Sequence, residues 1–282
     1  MKKLLGQGKK PAIAAVLFRE DSGSVLYTDL KREMAENLGI GYQVYEYSLK
    51  DDISQAVKQI KQLNRDSAIT GIIVQKPWLN LWIEARKLET EEGKAQFTQW
   101  WQQLVTAIDL AKDVDGLHPL TLEAISDDTW QEKGRVLPAT CKAVLALLKS
   151  AFETEDLFTT LNQQRLKVVI LGKSDLLGQP LFALLQSKNI PSEMIGSAEL
   201  KQRIEQGIAL TDADIVVSAT GRRKLVTGEM IEAGAVVIDV GEPQGDVDFT
   251  SVAAKAKALS PVPGGVGPMT VVSLMENAID LI

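Results

Sequence analysis

The chain has few of the residues that build most metal sites and nucleophilic sites. It contains one cysteine, Cys141, and one histidine, His118, among 282 residues. A single cysteine excludes an intrachain disulfide, which fits a reducing compartment. Without a histidine cluster we expect neither a Cys/His zinc site nor a Ser-His-Asp triad, and therefore no metal.

Excess positive charge and long apolar runs are also missing. The formal net charge is −6, which excludes a general nucleic-acid binder because neutralising phosphates needs a basic surface. Residues 1–10 are basic but carry no apolar stretch long enough for a signal peptide, and no segment is long and apolar enough for a membrane helix. We therefore expect a cytoplasmic protein without nucleic-acid or membrane partners.

Apolar runs alternate with helical patterns in the first half. Strands are predicted at 12–18, 41–47 and 71–74, with helices over 27–38 and 52–63 between them. This order predicts an α/β layer with a parallel sheet.

A polar stretch with several tryptophans follows, at 79–105, and its pattern is helical. Its tryptophans are interpreted as packing anchors, because no basic residues are interleaved with them as in a nucleic-acid platform.

The second half repeats the alternation. A helix is predicted over 140–152, another over 180–187, and a terminal amphipathic helix over 271–282. Short apolar strands are predicted at 166–171, 192–195, 215–219 and 235–240. The fold class is therefore α/β with two doubly wound domains, and the predicted bounds are 1–142 with 265–282 for one domain and 143–264 for the other.

The turn from Gly172 to Gly178 lies between a predicted strand and a helix. Backbone N–H groups and a helix N-terminus at that position suit the pyrophosphate of a dinucleotide. The spacing is not the usual G-x-G-x-x-G, so plain turn chemistry stays open, but Lys173 and Ser174 favour a phosphate.

Two later strands end in similar turns, at Thr220-Gly221 and at Gly241. Three such turns after three strands are expected to line one sheet edge. The strand ending at 195 is followed by Gly196 and Ser197 rather than by a carboxylate, which favours NADP slightly over NAD.

Polar residues in the first half offer a second group of candidates. Tyr27 and Lys31 are four residues apart, so a helix places them on one face, although ordinary surface positions have the same spacing. Gln75 ends a strand, and Asp115 lies in the segment Lys112-Asp-Val-Asp-Gly116, where both aspartates could instead be turn residues.

The segment Pro261-Val-Pro-Gly-Gly-Val-Gly-Pro-Met-Thr270 combines rigid and permissive residues. Proline fixes φ, whereas glycine allows positive φ and the close approach of another molecule. The pattern predicts a ligand-facing loop, and a rigid interdomain turn is the alternative.

Six motifs in order resemble bifunctional methylenetetrahydrofolate dehydrogenase/cyclohydrolase. They are Tyr27-x-x-x-Lys31, Val74-Gln75-x-Pro77, Lys112 to Gly116, Gly172 to Pro180, Gly245-Asp-Val-Asp-Phe249 and Pro261 to Thr270. The resemblance implies a folate-binding catalytic domain, a Rossmann NAD(P) domain, a cleft between them, a C-terminal helix that crosses back, and a homodimer.

The implied chemistry is NADP-dependent oxidation of 5,10-methylenetetrahydrofolate, followed by hydrolysis of the methenyl product to 10-formyltetrahydrofolate. By resemblance Lys31 serves the hydrolysis, Gln75 holds its amine, Tyr27 stacks on the folate and Asp115 accepts pterin N–H groups. Pro263, Gly264 and Gly265 are assigned to the folate, with added side chains at the two glycines expected to be most harmful. The resemblance implies that NADP, with NAD as the alternative, is bound by Gly172, Lys173, Ser174, Gly178, Ser197, Thr220, Gly221, Gly241 and Gly265.

The chain departs from the family pattern in several places. The start of the chain is about one helix early relative to the family, so the family's N-terminal helix is expected to be missing. Lys173 replaces an arginine, Gly196 replaces a histidine, and the segment before the tyrosine is Arg19-Glu-Asp-Ser-Gly-Ser24. The stretches 79–105 and 125–137 are longer than usual and could cover the cleft or build an interface. A dehydrogenase with weak or no cyclohydrolase activity, and a non-catalytic folate- or nucleotide-binding regulator, are the alternative functions.

Overall fold

The computed structural model describes residues 10–242 and 244–282, so the signal-peptide assessment and the expected loss of an N-terminal helix fall largely outside the described residues. The chain forms two compact units. The first contains the described residues up to Thr121, together with Gln131–Val136 and Leu274–Ile282. The second contains Leu122–Trp130 and Leu137–Ser273. The bounds predicted from sequence for the two ligand-binding domains, 1–142 with 265–282 and 143–264, remain a prediction.

The elements follow the predicted alternation of strands and helices. The strands are β1 Ala12–Phe18, β2 Gly41–Tyr47, β3 Gly71–Val74, β4 Val168–Leu171, β5 Ser192–Ile195, β6 Ile215–Ser218, β7 Val236–Asp239 and β8 Ala258–Leu259. The helices are α1 Ser22–Asn37, α2 Ile53–Arg65, α3 Leu79–Arg86, α4 Thr90–Val105, α5 Pro119–Ser126, α6 Ala139–Ala151, α7 Leu157–Gln163, α8 Gly178–Ser187, α9 Ser197–Glu205, α10 Phe249–Ala253 and α11 Val266–Asp280.

The first unit is built on a parallel sheet in the order β2-β1-β3. The central strand β1 is buried almost throughout, which explains its continuous apolar sequence. Beyond β3, Asp113 forms an isolated parallel bridge with Ile72, so the segment that leads to Asp115 runs alongside that strand.

The tryptophan-bearing stretch is two helices rather than one. Lys87, with a φ of 55°, ends α3 in a left-handed conformation, and α4 begins three residues later. The ring of Trp100 lies 4.8 Å from that of Phe18 on β1, and Trp82 lies 5.8 Å from Trp100, measured between centroids. These tryptophans are buried in the core of the first unit, which confirms that they are packing anchors.

The second unit has the sheet order β5-β4-β6-β7-β8, with all neighbours parallel. This is a doubly wound order, in which the strand order reverses between β4 and β6. Alternate residues of the central strands enter two separate cores. Val168 and Ile170 of β4 pack in one core, with α6 to α8, whereas Val169 and Leu171 pack in the other. Both faces of the sheet are therefore covered, as the sequence predicted.

Two helix starts differ from the prediction by five residues. Helix α1 begins at Ser22, not at 27, because the buried side chain of Asp21 accepts hydrogen bonds from the N–H groups of Gly23 and Ser24. Helix α11 begins at Val266, not at 271, so only the first half of the Gly/Pro-rich segment is a loop. Pro268 lies in the first turn of α11, where a missing N–H costs nothing.

The last helix also returns to the first unit, as expected. Within that unit, the side chain of Asn277 donates a hydrogen bond of 3.0 Å to the carbonyl of Val114, next to Asp115. In the described part of the chain no helix combines the length and the apolar character that crossing a bilayer requires.

Candidate active site

Lys31 and Tyr27 lie one turn apart on α1, as their spacing predicted. Lys31 is only 6% exposed, and Tyr27 is half-buried. Burial lowers the pKa of Lys31, and the carboxylate of Asp115 opposes that shift. Among the described residues Lys31 makes no hydrogen bond or ion pair, so its amine is held in a buried position without a neutralising contact.

Asp21 fixes the position of this helix relative to the end of β3. Besides capping α1, its carboxylate accepts a hydrogen bond of 3.0 Å from the backbone N–H of Trp78, three residues after Gln75. Sequence reasoning did not select Asp21, although an aspartate directly before the polar start of a helix is a recognisable N-cap signal. The altered loop that precedes Tyr27 is therefore anchored by its own aspartate.

Gln75 extends the pairing of β3 with β1, because its N–H donates to the carbonyl of Val16 at 2.9 Å. Its side chain is 8% exposed, and its Nε2 is buried without a hydrogen-bond partner among the described residues. A buried amide donor without a partner costs free energy unless a ligand or water accepts from it. This unsatisfied donor indicates that the end of β3 faces a polar ligand.

The two aspartates of Lys112-Asp-Val-Asp-Gly116 have different roles. Asp113 is a turn residue, because its carboxylate accepts from the N–H groups of Leu117 and His118 and from the hydroxyl of Thr121. Asp115 is free of such turn bonds. Burial raises its pKa, and the positive charge of Lys31 opposes the rise, so the charges of Asp115 and Lys31 interact.

The hydroxyl of Tyr42, on β2, was not selected from the sequence. It is buried and has no hydrogen-bond partner in the described part of the chain. Burial raises its pKa, and the charge of Asp115 adds to the rise. Its position in an alternating strand made it indistinguishable from a packing residue, and only the fold places it near Asp115.

The second unit brings together the turns predicted for a dinucleotide. The turns after β4, β6 and β7 follow three adjacent parallel strands and lie at one sheet edge. Gly172 has a φ of 112°, and an added Cβ would lie 2.3 Å from the carbonyl oxygen of Ala219. A Cβ at Gly178 would lie 2.1 Å from the carbonyl oxygen of Gly172. Only glycine permits this close packing of strand, turn and helix.

Asp246 connects two of these turns. It is fully buried, and its Oδ2 accepts from the N–H of Thr220 at 2.6 Å, from the hydroxyl of Thr220 at 2.8 Å and from the hydroxyl of Ser218 at 2.9 Å. Its own N–H donates to Asp239 at 3.0 Å, and that carboxylate also accepts from Gly241 at 2.9 Å. Sequence reasoning used Asp246 only as part of a motif and missed this role.

Some predicted cofactor groups are already engaged within the protein. The hydroxyl of Ser174 accepts from the N–H groups of Leu177 and Gly178, at 3.3 and 3.5 Å, and stabilises the turn. The hydroxyl of Ser197 accepts from Arg222 at 2.9 Å. Lys173 is paired with Glu199.

The expectation that no carboxylate lies at the tip of β5 is wrong. Glu199, in the first turn of α9, folds back so that its carboxylate accepts a hydrogen bond of 3.1 Å from the N–H of Gly196. The capping bond brings a residue four positions beyond the end of the strand back to its tip.

The loop from Pro261 to Gly265 leaves the same edge after β8. Gly264 has a φ of 103° and open space where a Cβ would be, whereas a Cβ at Gly265 would lie 2.4 Å from the carbonyl oxygen of Pro261. The loop itself therefore requires glycine at 265, and the assignment of Gly264 and Gly265 to ligands stays a prediction. The hydroxyl of Ser260 accepts from Asp239 N–H at 2.8 Å, which joins this loop to β7.

Comparison with known proteins identifies both parts of the chain. The model of the tetrahydrofolate dehydrogenase/cyclohydrolase NAD(P)-binding domain matches residues 138–282, and the model of the catalytic domain of the same name matches residues 1–91. The chain belongs to the tetrahydrofolate dehydrogenase/cyclohydrolase family. The resemblance inferred from six motifs is thereby confirmed.

Individual relatives are similar over nearly the whole chain. The bifunctional protein FolD of Lactobacillus helveticus is 35% identical, covering 100% of this chain and 90% of the relative. The structure of FolD from Trypanosoma brucei, a complex with NADP and an inhibitor, has a TM-score of 0.80 and 27% identity, covering 99% of this chain and 89% of that one. FolD from Campylobacter jejuni has a TM-score of 0.77 and 27% identity, covering 99% of this chain and 90% of that one.

Proposed function

We propose that this chain oxidises 5,10-methylenetetrahydrofolate with NADP as hydride acceptor and hydrolyses the methenyl product to 10-formyltetrahydrofolate. The observation that carries the proposal is the buried Lys31, which has no ion pair or hydrogen bond among the described residues, together with the buried Gln75 Nε2 that lacks a partner there. Burying these groups costs folding stability, which a structural role does not require, and the charge of the half-buried Asp115 acts on Lys31. Membership of the family supplies the reaction.

The second unit fits a dinucleotide. Its glycine turns lie at the switch point between β4 and β6, where doubly wound sheets bind nucleotides, and the space that a Cβ at Gly172 or Gly178 would fill is used by backbone. When bound, the nicotinamide supplies hydride acceptance. The protein contributes position: we assign the pyrophosphate to the Gly172–Gly178 turn and the remainder of the cofactor to Thr220, Gly221 and Gly241.

Hydrolysis uses the residues of the first unit. The methenyl carbon is electrophilic, so a water molecule can attack it if its proton is removed as the carbon–oxygen bond forms. Neutral Lys31 takes that proton and returns it to N5 as the carbon–N5 bond breaks, which leaves the formyl group on N10. Gln75, being uncharged, orients the amine without stabilising its charged form. We assign the pterin N–H groups to Asp115 and ring stacking to Tyr27. Pro263, Gly264 and Gly265 are assigned to the folate, and Gly265 also to the cofactor.

The lowered pKa of Lys31 leads to a prediction for the pH dependence of methenyl hydrolysis. Methenyl hydrolysis should rise with pH through a pKa below the usual lysine value. In Asp115→Asn, loss of the carboxylate removes a charge that favours the ammonium form, so the pKa of Lys31 falls and the rising limb moves to lower pH. The measurement is the pH profile of enzymatic methenyl decay at saturating substrate, corrected for the uncatalysed reaction. Asp109→Asn, an exposed site on the same segment, should keep the wild-type profile; an unmoved limb in Asp115→Asn would contradict the coupling.

The two alternative functions receive less support from the structure. An anchored α1 start, with Asp21 bound to Trp78 N–H, argues against a misplaced catalytic lysine and hence against a dehydrogenase lacking hydrolysis. A non-catalytic binding protein would gain nothing from a desolvated lysine, which weakens folding. Separate assays of nicotinamide reduction and methenyl decay distinguish all three functions.

We further propose a cytoplasmic homodimer. The only cysteine, Cys141, is fully buried and burial raises the pKa of its thiol, so the protein does not depend on an oxidising compartment. The dimer is proposed from family membership. Light scattering coupled to size-exclusion chromatography should give a mass near twice the chain mass of 30.8 kDa, and a single-chain mass at micromolar concentration would refute the dimer.

A further inference from the structure

Four side chains meet beyond the carboxyl end of β5. Lys173, from the turn after β4, is paired with Glu199, and Arg222, from the turn after β6, donates a hydrogen bond of 2.9 Å to the hydroxyl of Ser197. Lys173 and Glu199 are each nearly half exposed, so an incoming group can reach both. The group therefore presents two cations and one carboxylate around a serine hydroxyl.

This position corresponds to the ribose end of a bound dinucleotide. In doubly wound folds the pyrophosphate lies at the turn after the first strand, and the 2′ substituent of the adenosine ribose lies near the end of the neighbouring strand. Here β4 and β5 are those strands, and they are joined up to their ends, where Gly172 N–H donates to the Ile195 carbonyl at 2.9 Å. An acid at this position accepts from the 2′-hydroxyl of NAD, whereas a cation favours the 2′-phosphate of NADP.

We propose that Glu199 limits the selectivity of this chain for NADP over NAD. It does so by neutralising Lys173 and by offering an acceptor to a ribose 2′-hydroxyl. A 2′-phosphate must separate the Lys173–Glu199 pair and then lies beside an uncompensated carboxylate. Arg222 favours the phosphate and partly offsets this repulsion. The inference rests on the proposed cofactor site and adds a residue that sets its specificity.

The charge arithmetic gives the direction of each substitution. Glu199→Gln leaves Lys173 unpaired beside Arg222, so the group changes from a net charge of +1 to +2 by the side chains named above. The glutamine keeps a carbonyl oxygen that can accept from Gly196 N–H, so the start of α9 is preserved. Removing one charge at contact distance near the surface should change the relative affinity about tenfold.

The first test is the ratio of kcat/KM with NADP to kcat/KM with NAD, at fixed ionic strength. Glu199→Gln should raise this ratio about tenfold, and Arg222→Gln should lower it. The matched control is Glu205→Gln, which removes the same charge from the other end of α9, where Glu205 pairs with Lys201 at 3.8 Å. Its ratio should stay at the wild-type value. An equal ratio in wild type and Glu199→Gln would overturn the proposal.

The second test needs no folate chemistry. Calorimetry should show that Glu199→Gln binds adenosine 2′,5′-bisphosphate about tenfold more tightly than wild type, without tighter binding of adenosine 5′-monophosphate. Equal gains for both nucleotides would overturn the specificity role, since they would indicate only a general charge effect. If this discrimination is found but no folate turnover is detected, the proposed function fails while the role of Glu199 stands. If wild type and the variant both bind neither nucleotide, the cofactor site and the role of Glu199 fail together.

Discussion

Lys31→Met should abolish methenyl hydrolysis and leave a measurable dehydrogenase. Removing a positioned general base typically costs 10²–10⁴ in rate, and we expect a loss of about 10³ in enzymatic methenyl decay. Hydride transfer needs the substrate held in place but no proton removed by this lysine, so nicotinamide reduction should fall by only about tenfold. Methionine preserves the length and apolar character of a side chain that is 6% exposed, and the fold should be retained.

Arg32→Met is the matched control for this variant. Arg32 is the next residue of α1, is partly exposed, and pairs with Asp29 at 3.1 Å, so the substitution removes the same charge from a different face. Both activities should stay near wild type. If Lys31→Met loses both reactions equally while circular dichroism and thermal unfolding show a folded protein, the base role is wrong.

Asp246→Ala should impair the dehydrogenase reaction and leave methenyl hydrolysis nearly unchanged. It leaves the Thr220 N–H and the hydroxyls of Thr220 and Ser218 without their acceptor, so the turn after β6 loses its position. We expect kcat/KM for the cofactor to fall by about 10² or more, because displacing a binding turn by about 1 Å can cost that much. Methenyl hydrolysis, which consumes no cofactor, should remain within a few-fold of wild type.

A milder variant guards against a simple failure to fold. Asp246→Asn keeps one oxygen that can accept from Thr220, and it should raise the cofactor KM more than it lowers kcat. The control is Asp248→Asn in the same segment, where the carboxylate pairs with Lys224 at 3.3 Å near the surface and should affect neither reaction. If both Asp246 variants fold and reduce nicotinamide at the wild-type rate, Asp246 does not position the cofactor turn.

The regular part of this fold could be predicted because its central strands are continuous apolar runs, and the more polar edge strands β2 and β5 follow them in a regular alternation with helices. Residues 12–18, 41–47, 71–74 and 192–195 were predicted with the bounds that the structure shows. Buried parallel strands must exclude polar side chains on both faces, so their sequence pattern is strong. The two-residue strand β8 has too little sequence for such a pattern and was missed.

The errors arose where one side chain decides the local structure. Asp21 moves the start of α1, and Pro268 is accommodated in the first turn of α11 instead of in a loop. Neither event is visible from hydrophobic periodicity, because each depends on a single hydrogen bond or a single missing donor.

The candidate site was predicted in part for a related reason. Lys31, Gln75 and Asp115 stand in recognisable motifs, whereas Tyr42, Asp246 and Glu199 acquire their roles only through tertiary contacts. The fold brings Tyr42 near Asp115, hydrogen bonds join Asp246 to Thr220, and a capping bond turns Glu199 back toward Lys173. Sequence spacing carries no information on such contacts.

The central claim is that one chain carries out both folate reactions, with different residues responsible for each. The most direct measurement is turnover of 5,10-methylenetetrahydrofolate with NADP+ and NAD+ in parallel, with nicotinamide reduction and methenyl decay followed separately. The account predicts reduction with NADP+, and methenyl decay faster than the uncatalysed rate. Reduction with neither cofactor by the folded protein would contradict it.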